Sequence, residues 1–404
     1  MRFILYLFTF LFSIRGTAQE TTPYPFVQYD LNHLYFSKDS SSFLNLYARL
    51  DSFSKNSIKE LSIAHIGGSH VQGGTWSNSF LNELNNEFKP AGGGYFIFPY
   101  KLAKTNSPPY ATSFSNGSWK KCRCVGKEFC LPLGMCGMSI TSNDSSNYFG
   151  VALTARSLIK GFNSIKVYHN FNATFEFTIS SRHNLKAVRF DKKDQGYTQF
   201  DLEMPVDSLS FDLVRKDTAQ KDFILYGFGV ESNLANGFYL AALGANGASS
   251  GSFLRCTYFA EQLKTIKPDL VIISLGVNDT QAKDFDKENY IEHYDSLILK
   301  IKEVAPDVAI LLTTTTDNFI RRRTANKRTV KTKDAMFELM ERHNVGVWDL
   351  YSVMGGFKSI LKWQKAGLAG KDRVHFSPKG YIVLGKLMFD ALNYSYHNNI
   401  KTNK

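Results

Sequence analysis

Hydrophobic positions change their rhythm twice along this chain. From Leu61 to Ile66 an apolar run ends in Gly67-Gly68-Ser69-His70. The following TWSNSFLNELNNEF sets Trp76, Phe80, Leu81, Leu84 and Phe88 at helical spacing. A strand, a glycine turn and a helix are therefore expected before about Pro99. Between roughly Lys101 and Lys221 polar and apolar residues alternate instead, as in ATFEFTIS with Phe175, Phe177 and Ile179, and in DSLSFDLV with Leu209, Phe211 and Leu213. A period of two marks strands with one buried face, and predicts an inserted β-sandwich or jelly-roll-like module.

The first rhythm then returns. DFILYGFGV reads as a strand, SGSFLRCTYFAEQLKTIK contains a helix ending before Pro268, and DLVIISLGV, DVAILLTTTT and VGVWDLY read as short buried strands. KENYIEHYDSLILKIKEVA, VKTKDAMFELMERHN and PKGYIVLGKLMFDAL are the intervening and closing helices. Apolar strands alternating with helices imply a parallel sheet covered on both faces, so the fold expected is a doubly wound α/β domain split by the β insertion. The expected divisions are a signal peptide at 1–18, an N-terminal extension at 19–59, the α/β domain at 60–100 and 222–395, the β-rich module at 101–221, and a tail at 396–404. No internal repeat stands out.

The N-terminal MRFILYLFTFLFSIRGTAQE joins a basic Arg2 to an apolar run from Phe3 to Ile14, with Gly16 and Ala18 at signal-peptidase spacing. That run is too short to span a bilayer, so an exported protein, periplasmic or secreted, cleaved after Ala18, is expected. No other stretch is long and apolar enough for a transmembrane helix. With 48 basic against 36 acidic residues, the formal charge of +12 favours residence near cell-wall polymers, acidic polysaccharide or lipid headgroups. Without a recognisable binding module, nucleic acid is not an expected partner. Oligomeric state is left open.

Four of the five cysteines, Cys122, Cys124, Cys130 and Cys136, crowd into KKCRCVGKEFCLPLGMCG, and Cys256 stands alone. In an exported chain this reads as two disulfides, with about three pairings open. A tetrathiolate zinc site is the alternative, though Cys-x-Cys suits zinc less well than Cys-x-x-Cys.

Functional groups of a doubly wound sheet collect where strands end. Here one strand ends in Gly67-Gly68-Ser69-His70, another in SLGVNDT with Gly276, Asn278 and Asp279, and the turn LGANGASSG carries Gly247 after the Phe223 strand. Just ahead of the last helix, DRVHFSPKGY sets Asp372 three residues before His375. Acyl transfer needs these groups: a serine hydroxyl, an imidazole to take its proton, a carboxylate to hold the imidazole, and donors for the oxyanion. Ser69, His375 and Asp372 are the candidate catalytic residues. The Ser69 and Gly247 amides and the Asn278 side chain are the candidate oxyanion donors. Ser69 could equally serve as a helix N-cap, Asn278-Asp279 as a turn, and Gly247 as a backbone device. His70 is a candidate substrate contact or a packing residue, while His65, inside the apolar strand, is expected to be structural.

The set Ser69, Gly247, Gly276-x-Asn278-Asp279 and Asp372-x-x-His375 resembles the four blocks of the SGNH (GDSL-type) hydrolase superfamily. The blocks frame roughly residues 60 to 100 and 222 to 395. The Gly-x-Ser-x-Gly elbow of α/β-hydrolases does not fit, since position 71 is Val71. Within the superfamily, the Ser69-His70 pair, the segment GGGYFIFPYKLAKTNSPP, the β insertion and the NGA block look like exported peptidoglycan O-acetylesterases. The resemblance implies removal of acetyl groups from muramic acid 6-hydroxyls, a carbohydrate-binding-like role for the β module, and no metal or organic cofactor. One departure is Gly68, where the family writes aspartate. A glycan O-acetyltransferase using the same site and a catalytically degenerate glycan-binding protein are the alternative readings. The basic run IRRRTANKRTVKTK follows a strand, so Arg321, Arg322 and Arg323 are candidate contacts for an anionic glycan.

Overall fold

The structure, a computed structural model, describes residues 24–37, 40–126, 130–217 and 222–402; the expected signal segment 1–18 lies outside them. Six parallel strands make its centre, in the spatial order Gly346–Trp348, Ala309–Thr313, Leu270–Ser274, Glu60–Gly67, Gly237–Gly244 and Gly92–Ile97. Leu270–Ser274 and Ala309–Thr313 are apolar almost throughout, which a sheet covered on both faces requires. The helices Thr75–Phe88, Phe259–Ile266, Lys287–Val304, Arg328–His343 and Pro378–Thr402 follow the strands. This is the doubly wound arrangement anticipated above. The last helix continues to Thr402, through residues expected to be a tail.

Two strands depart from that expectation. Gly237–Gly244, most of which was assigned to no element above, is the parallel strand beside Glu60–Gly67, and it is this strand that leads into Gly247. Phe223–Ser232 does not resume the parallel order: it pairs antiparallel with both Gly92–Ile97 and Phe162–His169. It is therefore the seam where the parallel sheet turns antiparallel. Periodicity marks a strand but carries no sign of its direction.

The insertion builds outward from that seam. Met138–Ser142, Phe162–His169, Tyr197–Val206 and Ala187–Lys192 extend the central sheet antiparallel, whereas Ala111–Ser115, Ser146–Leu153, Ser208–Arg215 and Phe175–Ile179 form a separate four-stranded sheet. The two layers meet through aromatic rings. Phe149 lies 5.6 Å from Phe223 and 6.1 Å from Phe228, and Phe200 lies 5.2 Å from Phe211. These distances are those of rings in van der Waals packing. The result is a sandwich whose second layer is the central sheet itself. At the opposite edge, Leu34–Tyr35 of the N-terminal extension pairs antiparallel with Gly346–Trp348.

Behind the site, His65 is buried in the Glu60–Gly67 strand. Its ring nitrogens lie 2.8 Å from the Ser77 and Ser274 hydroxyls, tying that strand to the next helix and to the neighbouring strand. Burial lowers its pKa to about 3, so it stays neutral, as a structural histidine must.

Candidate active site

Ser69 is the first residue of a short helix, Ser69–Gln72, entered directly from the Glu60–Gly67 strand through Gly68. Its hydroxyl does not cap that helix. Ser69 Oγ lies 2.7 Å from His375 Nε2, and His375 Nδ1 lies 2.7 Å from Asp372 Oδ2. Residues 306 positions apart are thus joined in one relay. The second Asp372 oxygen accepts the Val374 and His375 amides, both at 3.0 Å, which fixes the carboxylate while it orients the ring. Partial burial pushes the Asp372 carboxyl up, but the bonds from the His375 ring and the two amides outweigh it and leave Asp372 below the ordinary carboxylate value. The aspartate is held ionised, which selects the tautomer carrying its proton on Nδ1 and leaves Nε2 free to accept from Ser69.

The candidate donors stand at three strand ends. Ser69 N–H stands at the helix start, where no intrahelical acceptor exists. Among the described residues, no group accepts from Ser69 N–H or Gly247 N–H. Asn278 sits on the short helix Val277–Gln281 and donates one Nδ2 hydrogen to Ala248 O at 2.8 Å, leaving the other available. Gly276 makes that turn possible: it has φ of 125°, and a Cβ there would stand 2.3 Å from Thr315 Oγ1 and 2.6 Å from the Tyr290 hydroxyl oxygen. Gly247 also takes a left-handed conformation, with φ of 86°.

The loop carrying Gly247 is held on every side, which bears on the missing aspartate at position 68. Asn246 N–H donates to Gln72 Oε1 at 2.7 Å, Asn246 Nδ2 donates to Asn106 Oδ1 at 2.6 Å, and the Arg123 guanidinium donates to Asn246 O. Ser250 donates to Asp279 from its amide and, at 2.5 Å, from its hydroxyl. Burial raises the Asp279 carboxyl above its usual value, and the Ser250 bonds pull part of that back. These contacts fix the loop without help from position 68. A Cβ at Gly68 would lie 3.2 Å from Asn278 Nδ2, so glycine leaves the Asn278 amide its room.

His70, open above to a substrate contact or a packing role, is buried beside the relay. It is 7 % exposed, its Nδ1 lies 2.8 Å from the Tyr381 hydroxyl, and its ring centre is 5.3 Å from that of His375. Burial and the neighbouring His375 lower its pKa to about 3, so it brings no positive charge beside the relay. Its ring packs against His375, Phe376 and Tyr381. Arg321, Arg322 and Arg323 are exposed in the turn between Phe319–Ile320 and Thr324–Ala325. That turn is joined to the Asp372–His375 loop by Arg373, which the sequence pattern did not single out. Arg373 O accepts Phe319 N–H at 3.0 Å, its guanidinium donates to Arg322 O at 3.2 Å, and it lies 5.1 Å from the Phe319 ring centre. Gln72, Asn106, Arg123 and Ser250 were also missed; each is ordinary in sequence and is brought in by long-range contact.

The constellation can carry out acyl transfer through an activated serine. Converting Asn278 to alanine is expected to lower kcat for a small acetyl ester by about 100-fold to 1000-fold with KM little changed, because the lost donor matters most where charge develops. Steady-state kinetics on p-nitrophenyl acetate would test this, and an unchanged kcat would remove Asn278 from the oxyanion site.

Residues 226–383 match the GDSL-like lipase/acylhydrolase family, a span holding the Gly247, Asn278 and Asp372–His375 blocks but beginning after Ser69. Among solved structures, the fold is similar to one described as a peptidoglycan O-acetylesterase in action. The TM-score is 0.72 at 18 % identity, covering 90 % of this chain and 99 % of that one. A putative acylhydrolase from Bacteroides fragilis matches at 23 % identity with a TM-score of 0.32, over 39 % of this chain and 76 % of its own. A carbohydrate esterase family 3 protein from Talaromyces cellulolyticus matches at 14 % identity with a TM-score of 0.30, over 41 % and 75 %. No curated protein matches the sequence.

Proposed function

We propose that this chain, an SGNH (GDSL-type) ester hydrolase by its fold and its family match, removes O-acetyl groups from a cell-wall polysaccharide, peptidoglycan, outside the cytoplasm. The observation that carries the reading is the Ser69–His375–Asp372 relay, with both contacts at 2.7 Å and the Asn278 amide beside it. The His375 side chain is 45 % exposed and that of Asp372 29 %, an opening that suits an ester on a bulky polymer better than a buried small molecule. Similarity in fold to a peptidoglycan O-acetylesterase over nearly the whole chain supports the choice of polymer. The apolar N-terminal segment 1–18 supports export.

In the proposed reaction, His375 Nε2 takes the Ser69 proton as Oγ attacks the acetyl carbonyl carbon. The oxyanion that forms accepts from Ser69 N–H, Gly247 N–H and Asn278 Nδ2. His375 then hands its proton to the departing sugar oxygen, leaving acetyl-Ser69. Water, deprotonated by the same imidazole, attacks this ester, and collapse of the second tetrahedral species returns the proton to Ser69 and frees acetate. No step calls for a metal or organic cofactor.

The basic turn gives the substrate reading its own test. Arg321 and Arg322 have φ of 49° and 64°, so asparagine, which tolerates that region, is the suitable neutral replacement at both, with glutamine at Arg323. The triple variant is expected to raise KM on O-acetylated polymer about tenfold at low salt and leave small-ester kinetics unchanged. High salt should weaken the unmodified protein toward the same value. Equal KM values at low salt would show that the turn plays no part in gathering polymer.

A further inference from the structure

The loops that carry Gly247 and Asn278 are both reached by the Lys287–Val304 helix. Tyr290 and Tyr294 donate to Leu275 O at 3.2 and 3.1 Å, which holds the turn that leads into Gly276 and Asn278. His293, in the same helical turn, meets the other loop: its Nδ1 lies 3.0 Å from Ser250 Oγ. Ser250 is buried, and its amide and hydroxyl are the groups that donate to Asp279, the residue after Asn278. Gly251 shows that the place is shaped for an imidazole. A Cβ there would stand 2.9 Å from His293 Cε1, 3.0 Å from Nε2 and 3.1 Å from Nδ1. Three ring atoms at nearly one distance put that point over the face of the ring, so the imidazole lies flat on the Gly251 backbone and any side chain at 251 would displace it.

The hydrogens can be counted along this contact. Ser250 has one hydroxyl hydrogen, and it goes to Asp279 Oδ1 at 2.5 Å. Ser250 Oγ can therefore only accept from His293, so the ring carries a proton on Nδ1. The chain runs in one sense, from His293 Nδ1–H to Ser250 Oγ–H to the Asp279 carboxylate, and each bond polarises the next.

We propose that His293 is a positioning residue for ester hydrolysis: through Ser250 and Asp279 it braces the two oxyanion loops, fixing Gly247 N–H and the Asn278 amide at the spacing that one oxyanion requires. The role rests on the serine-esterase reading above and not on the identity of the polymer. Asn278 Nδ2 already donates to Ala248 O at 2.8 Å, so the loops are joined at neighbouring points, directly at Ala248 and through the His293 chain at Ser250. A single tie would leave the Gly247 loop free to pivot about Ala248; the second tie stops that. The spacing of the donors matters most once charge has formed on the carbonyl oxygen, so the effect falls on kcat rather than on KM.

Two substitutions separate the donor from the packing. Phenylalanine keeps a flat ring over Gly251 but has no donor, whereas asparagine places an amide nitrogen where Nδ1 stands. His293→Phe is expected to lower kcat for p-nitrophenyl acetate about tenfold with KM unchanged, and His293→Asn to stay within about twofold of the unmodified protein. The loss should vanish in an Asn278→Ala background, because the spacing of two donors has no meaning once one is gone. The same tenfold loss in both backgrounds, or an equal loss in the phenylalanine and asparagine variants, would overturn the proposal. Hydrogen exchange of the Ser250 amide reads the brace without any ester, and is expected to be about tenfold faster in His293→Phe than in the unmodified protein. Equal exchange would overturn the proposal as well. That difference in exchange, found in a protein that turns over no ester, would uphold the brace and refute the esterase reading.

Discussion

Ser69→Ala is expected to lower kcat for a small acetyl ester by about a millionfold, with KM almost unchanged. The substitution removes one oxygen that touches only His375 Nε2, so the fold and the two oxyanion amides remain. Alanine also keeps the backbone N–H that stands at the start of the Ser69–Gln72 helix. What survives should be the modest acceleration owed to binding and the oxyanion donors, as in other hydrolases of this logic. Kinetics on p-nitrophenyl acetate, with circular dichroism to confirm the fold, would measure it. A variant retaining a tenth of the turnover would mean that another group attacks the ester.

Asp372→Asn is expected to cost about 10,000-fold in kcat, and the reason is the tautomer. The aspartate accepts from His375 Nδ1 at 2.7 Å through one oxygen, and from the Val374 and His375 amides at 3.0 Å through the other. An asparagine can satisfy the amides with its carbonyl oxygen, but its NH2 group then faces His375 Nδ1 and donates to it. The imidazole proton moves to Nε2, where it points at Ser69 Oγ and can no longer accept from it. Geometry is preserved while the base is lost. If the variant keeps near-native turnover, Asp372 is only a brace for the loop.

Much of the site was legible because its residues sit where apolar strands stop. The runs at 61–66 and 270–274 could be read as strands from composition, and the polar residues after them then fell at one edge of the sheet. Asp372 and His375 were legible for another reason: three residues of separation on one loop keeps a carboxylate within reach of a ring. Gly237–Gly244 was lost because it is buried along its whole length, gives neither period, and begins and ends on glycine, which reads as turn punctuation. The partners of Phe223–Ser232 were illegible because strand direction is set by the connections, in this case by an insertion that continues the sheet. Cysteine pairing failed for a similar cause. Proximity in sequence suggested two bonds within the cluster, but only Cys122–Cys130 closes there, while Cys124 and Cys136 are buried as free thiols. Arg373 carries no pattern at all, and its importance lies in a turn that only the fold places beside it.

The account turns on whether acetate leaves a polymer through Ser69. The most direct measurement is acetate release from O-acetylated peptidoglycan by the protein, run beside Ser69→Ala and beside base-saponified peptidoglycan. The expected result is steady release from the acetylated polymer by the unmodified protein alone, with none from the saponified control and none by the variant. Absence of release by both proteins, with small acetyl esters also untouched, would contradict the account and leave a protein that holds glycan without cutting its esters.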